Sequence, residues 1–424
     1  MTGKNTSMEN INLPASKSIG ARFLVATYFA GTLPADPYFD DSEDLMVLQQ
    51  ALLDIYSDEE PIDYGESPID VNASGTAYRF VTAVCASSPG ADFVVTGIPR
   101  LLSRPIRPLT DLLKQAGAKI QPLGKDGDGP LRITGTKITG GYFSIRGDIS
   151  SQFISAVMLV APYWTNGVHL EFTTPLVSKP YLEMTAGLMK KFGIPVTLND
   201  KFVEVSPGNY IEPENFSVEA DWSAASFFYE ACALSGKIMK INNLVPPQDS
   251  LQGDSVAASR FGMLGIKSDF NDKYVTIERT DEGEKNVECD FTNCPDLVLP
   301  FAVTCLFSEV KFRFSGVKNL RLKESDRLES LRKESEKFGY IIKIGEDSIE
   351  WKGERRDGDS DIVVDTYGDH RVAMSFAMVA FKTGSIRIAN PSVVEKSFVR
   401  FWEELPKIGL DVELGDKEAR VVVK

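Results

Sequence analysis

Apolar positions in this chain gather into six runs, recurring about every 70 residues, and each run opens on a small or polar residue. They are SKSIGARFLVATYFAG from Ser16, GTAYRFVTAVCA from Gly75, SSQFISAVMLVAPY from Ser150, DWSAASFFYEACALSG from Asp221, PDLVLPFAVTCLFS from Pro295 and GDHRVAMSFAMVAFKTG from Gly368. Ser, Gly, Asp and Pro are the residues that start helices. Beyond its start each run is apolar nearly all round, which predicts a buried helix rather than a surface one. A second, more amphipathic pattern comes next in most repeats: RPLTDLLKQAGAKI, YLEMTAGLMKKFGI, DSVAASRFGMLGI and DRLESLRKESEKFGY. These four close on Gly, a helix-stop signal, before passing into a strand. Short β-rich pieces such as DFVVTGI, YVTIERT, VKFRFSG and ARVVVK lie between.

The repeating unit is therefore strand, helix, strand, helix, then one or two strands. Six such units make two domains of three units each, since a chain of 424 residues exceeds one ordinary core. The expected domains are residues 16–219, and residues 1–15 together with 220–424, with a hinge near 14–16 and 215–221 in the EPENFSVEA stretch. The first unit is short. Its acidic, Pro-bearing segment DEEPIDYGESP leaves room for a loop where a strand or two would stand.

Apolar residues make up 43% and charged residues 25%, an ordinary globular balance. The net charge of −14 argues against nucleic-acid or anionic-membrane partners, so any basic site must be local. No apolar run approaches the ~20 residues of a membrane span, and MTGKNTSMENINLP lacks a signal-peptide core. Five cysteines without framework spacing predict a reduced, cytoplasmic protein. The only histidines, His169 and His370, stand away from Cys289 and Cys294. Neither a metal nor a cofactor is expected.

Basic and hydroxyl residues fall at the predicted helix entrances. Lys17, Ser18 and Arg22 are at the first, and Gly75, Thr76 and Arg79 at the second, with Arg104 in SRPIRP following. Ser150, Ser151 and Gln152 are at the third, with Ser178 in SKPY following. Asp296 is at the fifth, followed by Asn319, Lys323, Glu324 and Arg327; Asp369, His370 and Arg371 are at the sixth, followed by Lys396. Each has a bland reading alone: Ser-Ser as an N-cap, KESDRLESLRKESEKFG as a solvated helix face. An arginine early in a helix, however, opposes the dipole and asks for an anion. The shared position across the repeats favours a site for a highly anionic small molecule between two domains.

These residues carry a resemblance to the 5-enolpyruvylshikimate-3-phosphate synthase family. It spans nearly the whole chain, in order: LPASKSIGAR, DDSEDL, SGTAYR, PRLLSRPIRPL, GDISSQF, LVSKPYLEMT, VEADWSAASFF, SLQGD, PDLVLPFAV, NLRLKESDRL, YGDHRVAM and EKSF. The resemblance implies an α/β, two-domain enolpyruvyl transferase fold, an inside-out α/β barrel with three βαβαββ units per domain around buried parallel helices. It implies phosphoenolpyruvate and shikimate 3-phosphate as substrates, and a monomer is expected. Lys17, Arg104, Gln152, Arg327, Arg371 and Lys396 would hold phosphoenolpyruvate, with the Gly75 backbone against it. Ser18, Arg22, Ser150, Ser151, Ser178, Asn319 and Lys323 would hold shikimate 3-phosphate, with Tyr181 near its ring and Lys17, Gln152 and Asp296 also within reach. Asp296 and Glu324 would be the acid–base pair, with Lys17 and His370 among the catalytic groups.

That chemistry suits the residue types. The two substrates bring roughly five to six negative charges together, and arginines recognise carboxylate and phosphate with two prongs. Asp296 would deprotonate the attacking hydroxyl. Glu324, with Lys17 as partner or competitor, would handle the proton at C3, which calls for a raised pKa. Two departures stand out: the family usually reads GNAGTAMRP where this chain reads NASGTAYRF, and its usual glycine in the first motif is Ala15. The first bears on glyphosate, the family's inhibitor. The nearest alternative, an enolpyruvyl transferase acting on UDP-N-acetylglucosamine, carries a reactive cysteine on a loop that here reads GIPRLLSRPIRP. A non-catalytic anion-binding protein is the other alternative, and the intact Lys17, Asp296, Glu324 and His370 speak against it.

Overall fold

The computed structural model describes residues 10–56, 68–90, 92–124 and 129–424. The chain divides into two compact units, Lys17–Val218 and the remainder made of residues up to Ser16 with Glu219–Lys424. In unit Lys17–Val218 the buried apolar runs become the helices Lys17–Ala30, Gly75–Ala86 and Ser151–Val160. In the other unit they become Trp222–Ser235, Val298–Phe307 and His370–Ala377. Caps fix several starts: Ser74, Ser150, Asp221 and Asp369 each accept a hydrogen bond from a backbone N–H of the first turn.

The amphipathic runs form Arg107–Gln115, Lys179–Lys191, Ala257–Met263 and Arg327–Lys337. Each stops two residues before a glycine with positive φ: Gly117, Gly193, Gly265 and Gly339. Only glycine takes that left-handed turn without strain, so the chain is released into the next strand there.

Four sheets share one topology. In spatial order the first is Ile69–Asp70, Asp92–Thr96, Leu131–Thr134 and Lys119–Pro122; its first two strands are parallel and the others antiparallel. The sheets beginning at Gly141, Asn286 and Val363 repeat this order, which is the strand–helix–strand–helix–hairpin unit. The fifth has three strands, Met239–Asn242, Tyr274–Arg279 and Ile266–Phe270. Its missing first strand is supplied by the N-terminal segment, where Ile11 bridges in parallel to Ile241 and Ile11 N donates to Lys240 O at 2.8 Å. Between Lys17 and Pro68 the described residues contain the helices Lys17–Ala30 and Glu43–Tyr56 and no strand. Most of DEEPIDYGESP, where a loop or strand was expected, lies outside the described residues. Among the described residues, no helix is long and apolar enough to cross a membrane.

Candidate active site

In unit Lys17–Val218 the predicted residues stand at the starts of its helices. Lys17 opens its helix, where an ammonium opposes the dipole, and its Nζ lies 3.0 Å from Asp44 Oδ2. Asp44 in turn sits in the acidic first turn of Glu43–Tyr56, where the dipole favours a carboxylate. Arg22 is 2% exposed. Its Nε donates to Thr185 Oγ1 (2.6 Å), Nη1 to Ser18 O (2.8 Å), and Nη2 to Ser155 Oγ (3.0 Å) and Tyr181 O (3.3 Å). Desolvation pushes its pKa down to about 10. Among the described residues no carboxylate pairs with it, so this buried cation is suited to a bound anion.

Two guanidinium groups flank Gly75. A Cβ at that position would lie 2.6 Å from Arg104 Nη1 and 2.8 Å from Arg79 Nη1. Arg79 Nη1 also donates to Gly75 O at 2.6 Å. Burial, and then the charge of Arg104, lowers the pKa of Arg79 to about 9. Paired cations at a helix start are suited to an anion with two-pronged acceptors. Gln152 joins it, its Nε2 donating to Thr76 Oγ1 at 2.9 Å. Ser150 caps the helix on which Ser151 and Gln152 stand. Ser178 precedes Lys179–Lys191 with φ 55°, and its carbonyl accepts from Tyr181 N at 3.1 Å.

In the other unit the two expected carboxylates sit in different surroundings. Asp296 Oδ1 accepts from Arg327 Nη1 at 2.7 Å and lies 3.7 Å from Lys323 Nζ. Its Oδ2 lies 3.2 Å from Arg371 Nη2. Glu324 Oε2 lies 2.8 Å from His370 Nδ1, and its Oε1 is 3.7 Å from Lys396 Nζ. Beneath them Asp369, fully buried, accepts from Arg327 Nε (2.8 Å), Ser325 Oγ (3.0 Å) and Arg371 N (3.1 Å). Burial alone would lower the pKa of Arg327, but Asp369, Asp296 and Glu324 together raise it. Asn319 lies half-buried on the turn Lys318–Leu322, just before this cluster.

Glu324, Asp369 and His370 have ligand atoms within 4.8 Å of one another. Both oxygens of Asp369 are already taken by Arg327, with Ser325 and the helix backbone adding further donors, which makes an ion-pair network rather than a metal-ligand set.

Several neighbours of the site had no role assigned from sequence. Asp44 was visible only as a member of DDSEDL, and Arg79 was placed at a helix entrance without a ligand being assigned to it. Asp254, in SLQGD, is buried; its Oδ2 accepts from Ser223 Oγ. Burial, and then the charge of Asp296, pushes its pKa up. The signal available for each was a charged residue among small ones near a helix start.

Residues 2–405 match the family model described as EPSP synthase (3-phosphoshikimate 1-carboxyvinyltransferase). A 3-phosphoshikimate 1-carboxyvinyltransferase of Bacteroides fragilis is 37% identical over 410 residues, covering 96% of this chain and 97% of that protein. Another, from Histophilus somni, is 32% identical over 418 residues, covering 94% and 96%. In fold, the chain is similar to an EPSP synthase structure from Acinetobacter baumannii, with a TM-score of 0.72 at 22% identity over 96% of each chain.

Proposed function

The chain belongs to the EPSP synthase family, and we propose that the charged groups of its two units act on one pair of reactants. The reaction is transfer of the enolpyruvyl group of phosphoenolpyruvate to the 5-hydroxyl of shikimate 3-phosphate, with release of phosphate. This is a step toward the aromatic amino acids.

The observation that carries the assignment of roles is the contrast between Asp296, among Arg327, Arg371 and Lys323, and Glu324, against His370 and Lys396. Three cations favour the ionised form of Asp296. As a carboxylate it takes the proton of the 5-hydroxyl while the oxygen attacks C2 of phosphoenolpyruvate. Glu324 delivers a proton to C3, forming a tetrahedral ketal phosphate, and retrieves one from C3 as phosphate departs. Microscopic balance is kept: one C–O bond forms, one C–O bond to phosphate breaks, and the hydroxyl proton leaves with the products.

Arg327 and Arg371, with Lys17, stabilise the charge that gathers on the departing phosphate. Arg104, Gln152, Lys396 and the backbone at Gly75 hold phosphoenolpyruvate. Ser18, Arg22, Ser150, Ser151, Ser178, Tyr181, Asn319 and Lys323 hold shikimate 3-phosphate. The protein works as a cytoplasmic monomer in this reading, without a cofactor.

Phosphate release with phosphoenolpyruvate and each acceptor tests the reading. Release with shikimate 3-phosphate alone is expected. Release with UDP-N-acetylglucosamine, or with neither acceptor, overturns it.

A further inference from the structure

We propose that Glu43 is a positioning residue for phosphoenolpyruvate, acting through Asn72 on the backbone that leads into Gly75. The proposal rests on the functional reading above and deepens it at the phosphoenolpyruvate side.

Asn72 is a junction. Its Nδ2 donates to Glu43 Oε1 at 2.7 Å, its N–H donates to Asp70 Oδ1 at 2.8 Å, and its carbonyl accepts from Ile98 N at 3.0 Å. Its φ of 50° is one that asparagine adopts more readily than most residues. The fit around its carbonyl is tight, since a Cβ on Gly97 would lie 2.6 Å from it. Ile98 opens the turn Pro99–Leu102, and Arg104 N donates to Leu101 O at 3.0 Å at its end. The two sides of the Asn72 junction thus lead to the two parts of the anion site: Gly75 in one direction and Arg104 in the other.

Glu43 anchors this junction to the first turn of Glu43–Tyr56, the turn whose Asp44 pairs with Lys17. One helix start therefore sets the position of the lysine, the Gly75 backbone and the arginine loop. The departure in NASGTAYRF fits this use. The asparagine stands one residue farther from the glycine than in the usual motif, and its amide is committed to Glu43 instead.

Steady-state phosphate release by the full chain tests the proposal, with Glu43→Ala, Glu43→Gln, Asn72→Gly and the double variant Glu43→Ala/Asn72→Gly. Glycine keeps the positive φ while removing the amide. Loss of one hydrogen bond to a charged group is expected to raise KM for phosphoenolpyruvate about tenfold. The KM for shikimate 3-phosphate and kcat should stay within about twofold. Glu43→Gln keeps an acceptor oxygen and should restore the wild-type KM. Asn72→Gly should match Glu43→Ala, and the double variant should add nothing further. Both KM values rising together with a lower melting point, additive effects in the double variant, or an unaffected Glu43→Ala would each overturn the proposal. If wild type turns over normally beside an unaffected Glu43→Ala, the functional reading stands and only this inference falls. A wild type inactive on these substrates removes both.

Discussion

The carboxylate of Glu324 lies 2.8 Å from Nδ1 of His370, and the imidazole is all but sealed from solvent at 1% exposure. One oxygen of the carboxylate thus lies against a buried imidazole, and the other is on the side of Lys396. Glu324→Gln keeps the shape and removes the titratable carboxyl group. We expect kcat to fall about a hundredfold or more, with little change in either KM. His370→Gln should lower kcat by a smaller factor, since the carboxylate remains but its support is altered. Initial rates of phosphate release separate the two.

Asp296→Asn removes the proposed base while keeping a side chain of the same size among Arg327, Arg371 and Lys323. Turnover should drop by about a hundredfold or more, with KM for shikimate 3-phosphate changed far less. Equal loss in binding with unchanged kcat would contradict the role assigned to Asp296.

Asp369 anchors the proposed base Asp296 at one remove, because it holds Arg327 from the protein side while Arg327 holds Asp296. Asp369→Ala leaves a buried guanidinium with one of its two carboxylate partners and uncaps His370–Ala377. Breaking a buried pair in this way costs about 3–5 kcal/mol. The urea midpoint should fall accordingly, and turnover should fall even under conditions where the variant is folded.

Gly75→Ala puts a methyl group where Arg104 and Arg79 now approach to 2.6 and 2.8 Å. The backbone there is helical, so the substitution is expected to displace guanidinium groups rather than unfold the helix. KM for phosphoenolpyruvate should rise well above that for shikimate 3-phosphate, with the melting point nearly unchanged. Comparing the two KM values in one variant is the check.

Glu230 lies fully buried in the middle of Trp222–Ser235, and neither carboxylate oxygen has a hydrogen-bond partner among the described residues. Burial pushes its pKa well above the ordinary 4.5. The folded state therefore keeps it neutral, while the unfolded chain ionises it as pH rises past its ordinary value. Stability from this group is intact below that value and is lost as pH climbs toward the folded pKa. Glu230→Leu should stabilise the protein by about 1–3 kcal/mol near neutral pH. The gain should be smaller at about pH 5 than at about pH 8, as urea unfolding at the two values would show.

The helices were legible because their signals are local. Apolar runs opened at Gly75, Ser150, Asp221 and Gly368, and the stops at Gly117, Gly193, Gly265 and Gly339, act within a turn or two of chain. The positions of Lys17, Asp296 and Arg371 at helix entrances were legible from the repeats, while the roles expected of them and of Glu324 came only from the family resemblance. What escaped depends on pairings across sequence. Nothing near Ile11 names Ile241 as its neighbour, and β propensity describes a strand without choosing its partner. The same holds for Asp369 and Arg327, for Asp44 and Lys17, and for Asn72 and Glu43. A motif could show that each residue was present, but only the folded chain shows what each one holds.

The two strands of chain that enter and leave Lys17–Val218 run beside each other, with Ala15 bridged to Ala220 and Ser16 N donating to Glu219 O at 2.7 Å. Topologically, that unit is a parenthesis: it begins and ends at one spot, and the sentence around it already closes through Ile11. Deleting residues 17–218 and splicing the cut ends with a short glycine linker would span almost no gap. In what remains, the sheet borrowed from the N-terminus would still have its fourth strand.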